Sequence, residues 1–235
     1  QPAYLRKRGM NKKRKLGAAV IGFGYWGPNL ARNIIDNENF ELTSICDSST
    51  RSRELAAQQY PQVKITDNSK DIFSDNSISA VFISTPPSTH FSLAKEALKH
   101  KKNVLIEKPM ACSSQECKEL IDQARRNGCL MMVDHTFAYT GAVKKLRDLS
   151  SSSIGDLLYY DSVRINLGIF QKDVNVLWDL AVHDLAILDN ICNLRPISVS
   201  ATGHAHVKDY PISTAYLTLF YKEPFIAHIH CSWMA

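Results

Sequence analysis

Between residues 16 and 133, short apolar runs alternate with amphipathic stretches at a spacing that predicts a strand–helix repeat. Residues 16–22 form an apolar run ending in glycine, as expected of a strand buried on both faces. Residues 28–35 read as a helix, 40–46 as a second strand, and 52–60 as a helix rich in Ala, Gln and Glu. Strands are expected at 63–66, 79–84 and 103–106, with a helix over 88–100 after the Thr85-Pro86-Pro87 break. Residues 113–127 form an amphipathic helix with Ser113 and Ser114 as available caps and Gly128 as its stop, and 130–133 closes the series. Such alternation implies a parallel sheet covered on both faces.

The pattern changes after about residue 150. A serine run at 150–153 suits a loop, 157–167 reads as a long strand, and 177–192 as a helix. Strands at 197–207, 214–221 and 225–233 follow with short turns, which suggests an open, mostly antiparallel sheet. The expected fold class is therefore α/β followed by α+β. The domains are a basic tail at 1–15, a doubly wound parallel-sheet domain at 16–135, and a second domain at 136–235. The second sheet is expected to be incomplete, because it stops at Trp233-Met234-Ala235 with an apolar edge exposed.

Composition narrows the class. A hydrophobic fraction of 45% with 22% charged residues fits a globular protein, and no apolar run is long enough to span a bilayer. Together with the lack of a secretory signal, this predicts a cytoplasmic protein without a membrane partner. The net charge of +5 is local: seven cations lie in residues 1–15, and the remainder carries 21 basic against 23 acidic residues. The tail reads as solvated rather than as a nucleic-acid arm. Six cysteines without a Cys-x-x-Cys pair read as reduced buried thiols.

The first chemical signature is Gly22-Phe23-Gly24-Tyr25-Trp26-Gly27, a G-x-G-x-x-G between a strand and a helix. In a Rossmann domain, Gly22 allows the tight turn, Gly24 the backbone's approach to a pyrophosphate, and Gly27 close helix packing. Asp47, at the end of the second strand, is placed to accept hydrogen bonds from the adenosine ribose, which favours NAD. Arg51 and Arg53 keep NADP as the lesser alternative. Tyr25 and Trp26 join the cofactor-binding candidates through their place in the turn.

Two further segments carry candidate chemistry. Glu107-Lys108-Pro109 follows the fifth strand, where ligands of open α/β sheets bind, and proline there suits a cis bond. A lysine at that place can contact a substrate hydroxyl and the nicotinamide ribose, and stabilise a developing alkoxide. Asp179 and His183, four apart on the second-domain helix, are expected to share a face, the carboxylate orienting the ring and raising its pKa for proton abstraction. A local pair that merely stabilises the helix remains the alternative. His204/His206 and His228/His230 sit on neighbouring strands without an evident acidic partner, and no metal is expected.

These motifs, together with Ser84–His90 (STPPSTH), occur in an order that resembles the Gfo/Idh/MocA oxidoreductases over about residues 16–233. The resemblance implies that Lys108 and His183 act at the substrate with Asp179 assisting. It also implies that Thr85, Pro86 and His90 belong to the cofactor pocket, His90 as a ribose or nicotinamide contact, and that the open sheet mediates homo-oligomers. VLWDLAVHDLAI, RINLGIF and AHIHCSW are similar to a subgroup of UDP-N-acetylglucosamine and UDP-N-acetylglucosaminuronate 3-dehydrogenases. That implies an NAD-dependent dehydrogenase acting on a secondary hydroxyl of a sugar or nucleotide sugar, with Arg164, Asn166 and Asn175 as substrate contacts. An inositol or free-sugar dehydrogenase, or a non-catalytic dinucleotide sensor, is the alternative. Where relatives often carry Tyr-Asn-Pro, this chain has Tyr139-Thr140-Gly141.

Overall fold

The computed structural model describes residues 15–150, 155–167 and 170–235; the basic tail to residue 14 and the serine run at 151–153 lie outside the described residues. Six parallel strands form the first sheet: β1 (Leu16–Ile21), β2 (Phe40–Cys46), β3 (Lys64–Thr66), β4 (Ile78–Ile83), β5 (Asn103–Glu107) and β6 (Met131–Asp134), ordered β3-β2-β1-β4-β5-β6. The order reverses between β1 and β4, so a crevice opens at their carboxyl ends.

Helices cover both faces. Ala18 and Val20 of β1 pack with Leu30 and Ile34 of α1 (Gly27–Asp36) and Ala56 of α2 (Thr50–Gln59). Ala19 and Ile21 point the other way, into a core with Ile72 and Phe73 of α3 (Ser69–Ser74), Leu98 of α4 (Pro87–Lys99) and Leu120 of α5 (Ser114–Asn127). The run of buried residues along β1 follows from this two-sided cover. Local chemistry sets the helix ends. Ser113 accepts the Glu116 amide at 3.2 Å, Glu116 Oε2 accepts the Cys112 amide at 3.1 Å, and Gly128 stops α5 at φ +66°.

A short 3₁₀ turn (Thr136–Tyr139) and α6 (Gly141–Ser150) follow β6. The sequence pattern did not signal α3 or α6. Each is short, and the apolar side of α6 is narrow, with Val143 its one buried residue. The second sheet is ordered β7 (Tyr159–Ile165), β10 (Ile226–Ser232), β9 (Thr214–Phe220), β8 (Ser198–His204). It is mixed: β7 runs parallel to β10, and the other two pairings are antiparallel. One face packs on α7 (Val182–Ile191) through Leu188, Leu217, Ile229 and Trp233. The opposite face leaves Tyr159, Val163, Ile165, Tyr216 and Ile226 exposed.

The expected helix at 177–192 is two segments: a π-helical turn, Leu177–Ala181, runs into α7. A π turn closes its hydrogen bonds five residues apart rather than four, so it rotates the residues before it relative to those after.

Candidate active site

The glycine turn, Asp47 and the loop after β4 enclose a cavity of about 600 Å³ lined by Gly22, Gly24, Asp47, Thr85, Pro86 and Asp67, among others. Each glycine meets a different constraint. Gly22 has φ +94°, and a Cβ on it would stand 2.7 Å from the Ser84 backbone. A Cβ on Gly27 would meet the Gly22 carbonyl at 2.3 Å, whereas one on Gly24 would meet nothing within 4 Å. Gly22 and Gly27 are thus fixed by the fold, and Gly24 faces open space as a dinucleotide's pyrophosphate requires. Asp47 Oδ2 accepts the Phe23 amide at 2.6 Å and Oδ1 the Ser49 amide at 2.7 Å, which ties the carboxylate to the turn.

Arg53 donates to the carbonyls of Asp47 and Ser48 at 2.9 and 2.8 Å and to Thr50 Oγ1 at 3.1 Å. It braces the loop after β2 instead of standing ready for a 2′-phosphate. Neither Tyr25, 86% exposed, nor Trp26 lines the cavity; their rings meet edge to face at 5.5 Å outside it. Their backbone, not their rings, belongs to the turn.

His90 corrects the expectation of a ribose or nicotinamide contact. It is fully buried, with Nδ1 2.8 Å from the Pro109 carbonyl and Nε2 2.8 Å from the Thr85 carbonyl. Both ring nitrogens face backbone carbonyls, to one of which the neutral ring can donate, so the residue packs between the loop after β4 and the loop after β5. The Lys108–Pro109 peptide in that second loop is cis.

Lys108 extends from the end of β5 to the second domain. Its Nζ donates to Asp179 Oδ1 at 2.8 Å and to the Asp179 carbonyl at 3.0 Å, leaving one of three ammonium protons uncommitted. Asp179 Oδ2 accepts from Trp233 Nε1 at 2.9 Å. The carboxylate expected to orient His183 is therefore held by Lys108 and Trp233. Asp179 lies in the π turn and His183 in α7, and no hydrogen bond joins the two side chains among the described residues.

His183 is 8% exposed, its Nδ1 is buried without a hydrogen-bond partner among the described residues, and its ring meets Phe137 edge to face at 4.9 Å. Burial, then the charges of Lys108 and Arg164, lower its pKa to about 4, with Asp179 opposing weakly. The expected rise is thus reversed, and the ring is neutral at physiological pH.

Arg164 makes a two-pronged ion pair with Asp184 through Nε and Nη2 and stacks over Phe137 at 4.4 Å. Asn175 Oδ1 accepts the Leu177 and Trp178 amides, each at 3.1 Å, and so caps the π turn. Asn166 is exposed just beyond β7, its amide bonded to the Ser232 carbonyl. Arg164 and Asn175 thus have partners within the protein, and Asn166 faces solvent.

Glu107 is buried at the end of β5 and does not line that cavity. It pairs across the sheet with Asp134, and burial plus that second carboxylate raises its pKa to about 7. Next to this pair His135 is held low by burial, its Nδ1 buried and without a hydrogen-bond partner among the described residues. The sequence reading missed Asp134, His135, Phe137, Asp184 and Trp233. Two of them did lie in quoted segments, Asp184 beside His183 and Trp233 at the end of AHIHCSW, but neither segment said what they touch.

A family model described as an oxidoreductase family with an NAD-binding Rossmann fold (GFO_IDH_MocA) matches residues 16–135. The chain belongs to this family. Its cofactor is NAD, which the open space at Gly24 and the carboxylate at Asp47 fit. An uncharacterized oxidoreductase of Streptococcus pneumoniae is 28% identical over 78% of the chain and 52% of its own length. UDP-N-acetylglucosamine 3-dehydrogenase of Acidithiobacillus ferrooxidans is 32% identical over 60% of the chain and 45% of its own length. GenD2 from gentamicin A biosynthesis, solved in complex with NAD, shares the fold at a TM-score of 0.89 and 19% identity, over 99% of this chain and 70% of that one. The chain spans about half the length of the first of these relatives. Among the described residues no helix is long and apolar enough to cross a membrane, and no three His, Cys, Asp or Glu side chains are grouped to hold a metal ion.

Proposed function

We propose that this chain is the catalytic part of an NAD-dependent dehydrogenase that oxidises a secondary hydroxyl of a sugar, with a nucleotide sugar as the favoured substrate class. The observation that carries this reading is the meeting of Lys108, from the first sheet, with the Asp179–His183 segment of the second domain, beside the carboxyl-end crevice. NAD, when bound, supplies the hydride acceptor. Lys108 keeps one N–H for the substrate oxygen, and its charge favours the alkoxide that develops there. His183, neutral at physiological pH, has a free lone pair to take the hydroxyl proton. Asp179 positions Lys108 rather than His183.

The likeness to the A. ferrooxidans UDP-N-acetylglucosamine 3-dehydrogenase supports a nucleotide sugar. The scyllo-inositol 2-dehydrogenase (NAD(+)) of Bacillus subtilis, 24% identical, keeps an inositol as the competing substrate. Exposed Tyr159, Val163, Ile165 and Tyr216 on the second sheet support a homo-oligomer formed through that face. The test follows NADH formation with a panel of UDP-sugars and inositols, alongside NADH binding. Turnover by the wild type that disappears in His183→Ala while NADH still binds supports the assignment. Unchanged turnover in that variant refutes it, and dinucleotide binding without turnover of any sugar favours the sensor reading.

A further inference from the structure

Three successive strands deliver three different groups to the cofactor cavity. The carboxyl end of β1 leads into the glycine turn, that of β2 carries Asp47, and that of β3 carries Asp67. In the sheet order β3-β2-β1, Asp67 stands one strand beyond Asp47 and two beyond the turn. If the turn takes the pyrophosphate and Asp47 the ribose, the next position outward belongs to the base.

The segment that holds Asp67 is fixed on both sides. Thr66 Oγ1 donates to Asp71 Oδ2 at 2.7 Å and accepts the Asn68 amide at 3.1 Å. Asn68 Nδ2 donates to Asp71 Oδ1 at 3.3 Å, and Asn68 Oδ1 accepts the Lys70 amide at 3.2 Å. The Asp47 amide donates to the Thr66 carbonyl at 3.2 Å, which locks the two carboxylate-bearing loops together. Between these tied neighbours, Asp67 makes no side-chain hydrogen bond among the described residues, yet it lines the cavity with Ser69, Ser92 and Leu93.

An ionised carboxylate only accepts hydrogen bonds, and the one donor on the polar edge of adenine is its exocyclic amino group. We infer that Asp67 reads the adenine base by accepting from that amino group, and so is a specificity-determining residue of the cofactor site. Hypoxanthine sets a carbonyl oxygen, an acceptor, where the amino group stands, and its edge donor moves to the ring N1–H, out of the place Asp67 would read. The inference rests on the NAD assignment and reaches beyond it to the base.

The test is equilibrium binding, read by calorimetry or tryptophan fluorescence, of NADH, reduced nicotinamide hypoxanthine dinucleotide and NADPH to the wild type, Asp67→Asn and Asp47→Asn. The wild type is expected to prefer NADH over the hypoxanthine analogue by about tenfold, a typical worth for one hydrogen bond to a charged group. Asp67→Asn, whose amide can donate as well as accept, should bring that ratio close to one. Asp47→Asn should weaken both dinucleotides together and leave the ratio unchanged. Equal wild-type affinities, or a preference that survives Asp67→Asn, would overturn the inference while leaving NAD as cofactor. A gain in NADPH binding by Asp67→Asn without loss of base discrimination would also overturn it, by assigning the carboxylate to the ribose. If neither adenine dinucleotide binds, the cofactor assignment itself fails, and the inference with it.

Discussion

Replacing His183 by glutamine isolates one buried titration. The wild-type ring is 8% exposed and is held at about 4, against an ordinary value of 6.5, by burial and the charges of Lys108 and Arg164. As the pH falls through 6.5 the unfolded chain takes a proton on this ring, whereas the folded chain resists until about 4. Across that window the unfolded state binds more protons, so stability falls as the pH falls. The gap corresponds to about 3 kcal/mol when fully expressed. Urea unfolding of the wild type and His183→Gln, followed from about pH 7.5 to about pH 4.5, separates this contribution from the carboxylates common to both. The wild type should lose stability relative to the variant by up to about 3 kcal/mol, with most of the divergence below about pH 6. Parallel curves would refute the reasoning, since they would mean that the folded ring titrates normally. A divergence of opposite sign would mean that a carboxylate raises its pKa after all.

Glu107→Gln should give the opposite slope. The wild type should lose stability relative to the variant as the pH rises from 4.5 to about 7, because the folded protein keeps the Glu107 proton that the unfolded chain releases; the same urea series measures it. Gly22→Ala should lower the thermal midpoint, because a Cβ there meets the Ser84 backbone at 2.7 Å at φ +94°. Gly24→Val should leave folding near wild type and weaken NADH binding by about tenfold or more, about 1.4 kcal/mol, in a binding titration. Lys108→Met leaves the buried Asp179 carboxylate with Trp233 Nε1 as its remaining side-chain donor and should cost about 3 kcal/mol in denaturant unfolding. Combining it with Asp179→Asn should restore part of that loss, since the uncompensated charge is then gone.

Much of the architecture was legible in the chain because it rests on local rules. Apolar runs buried on both faces specify the parallel strands, Pro28 and Ser113 help to start helices, and Gly128 ends one. The glycine turn and Asp47 were legible for the same reason, since a strand, a turn and a helix in sequence already constitute the site. Lys108, Asp179 and His183 also stood out in the sequence as chemically capable residues, but their partnerships did not. Four-residue spacing suggested an Asp179–His183 pair, and only the approach of Lys108 and Trp233 from distant segments reassigned the carboxylate. His90 read as a pocket residue, and only the closure of two distant loops around it turned both nitrogens onto backbone.

The sequence by itself determined the secondary-structure order, the α/β class, the cofactor turn and which residues are chemically capable. The tertiary structure decided who pairs with whom, and therefore charge. Burial and two nearby cations make His183 neutral, and burial with a second carboxylate across the sheet raises the Glu107 pKa to about 7. Protonation depends on desolvation and on charges a few ångströms away, and those neighbours lie tens of residues apart in the chain. No local pattern encodes them.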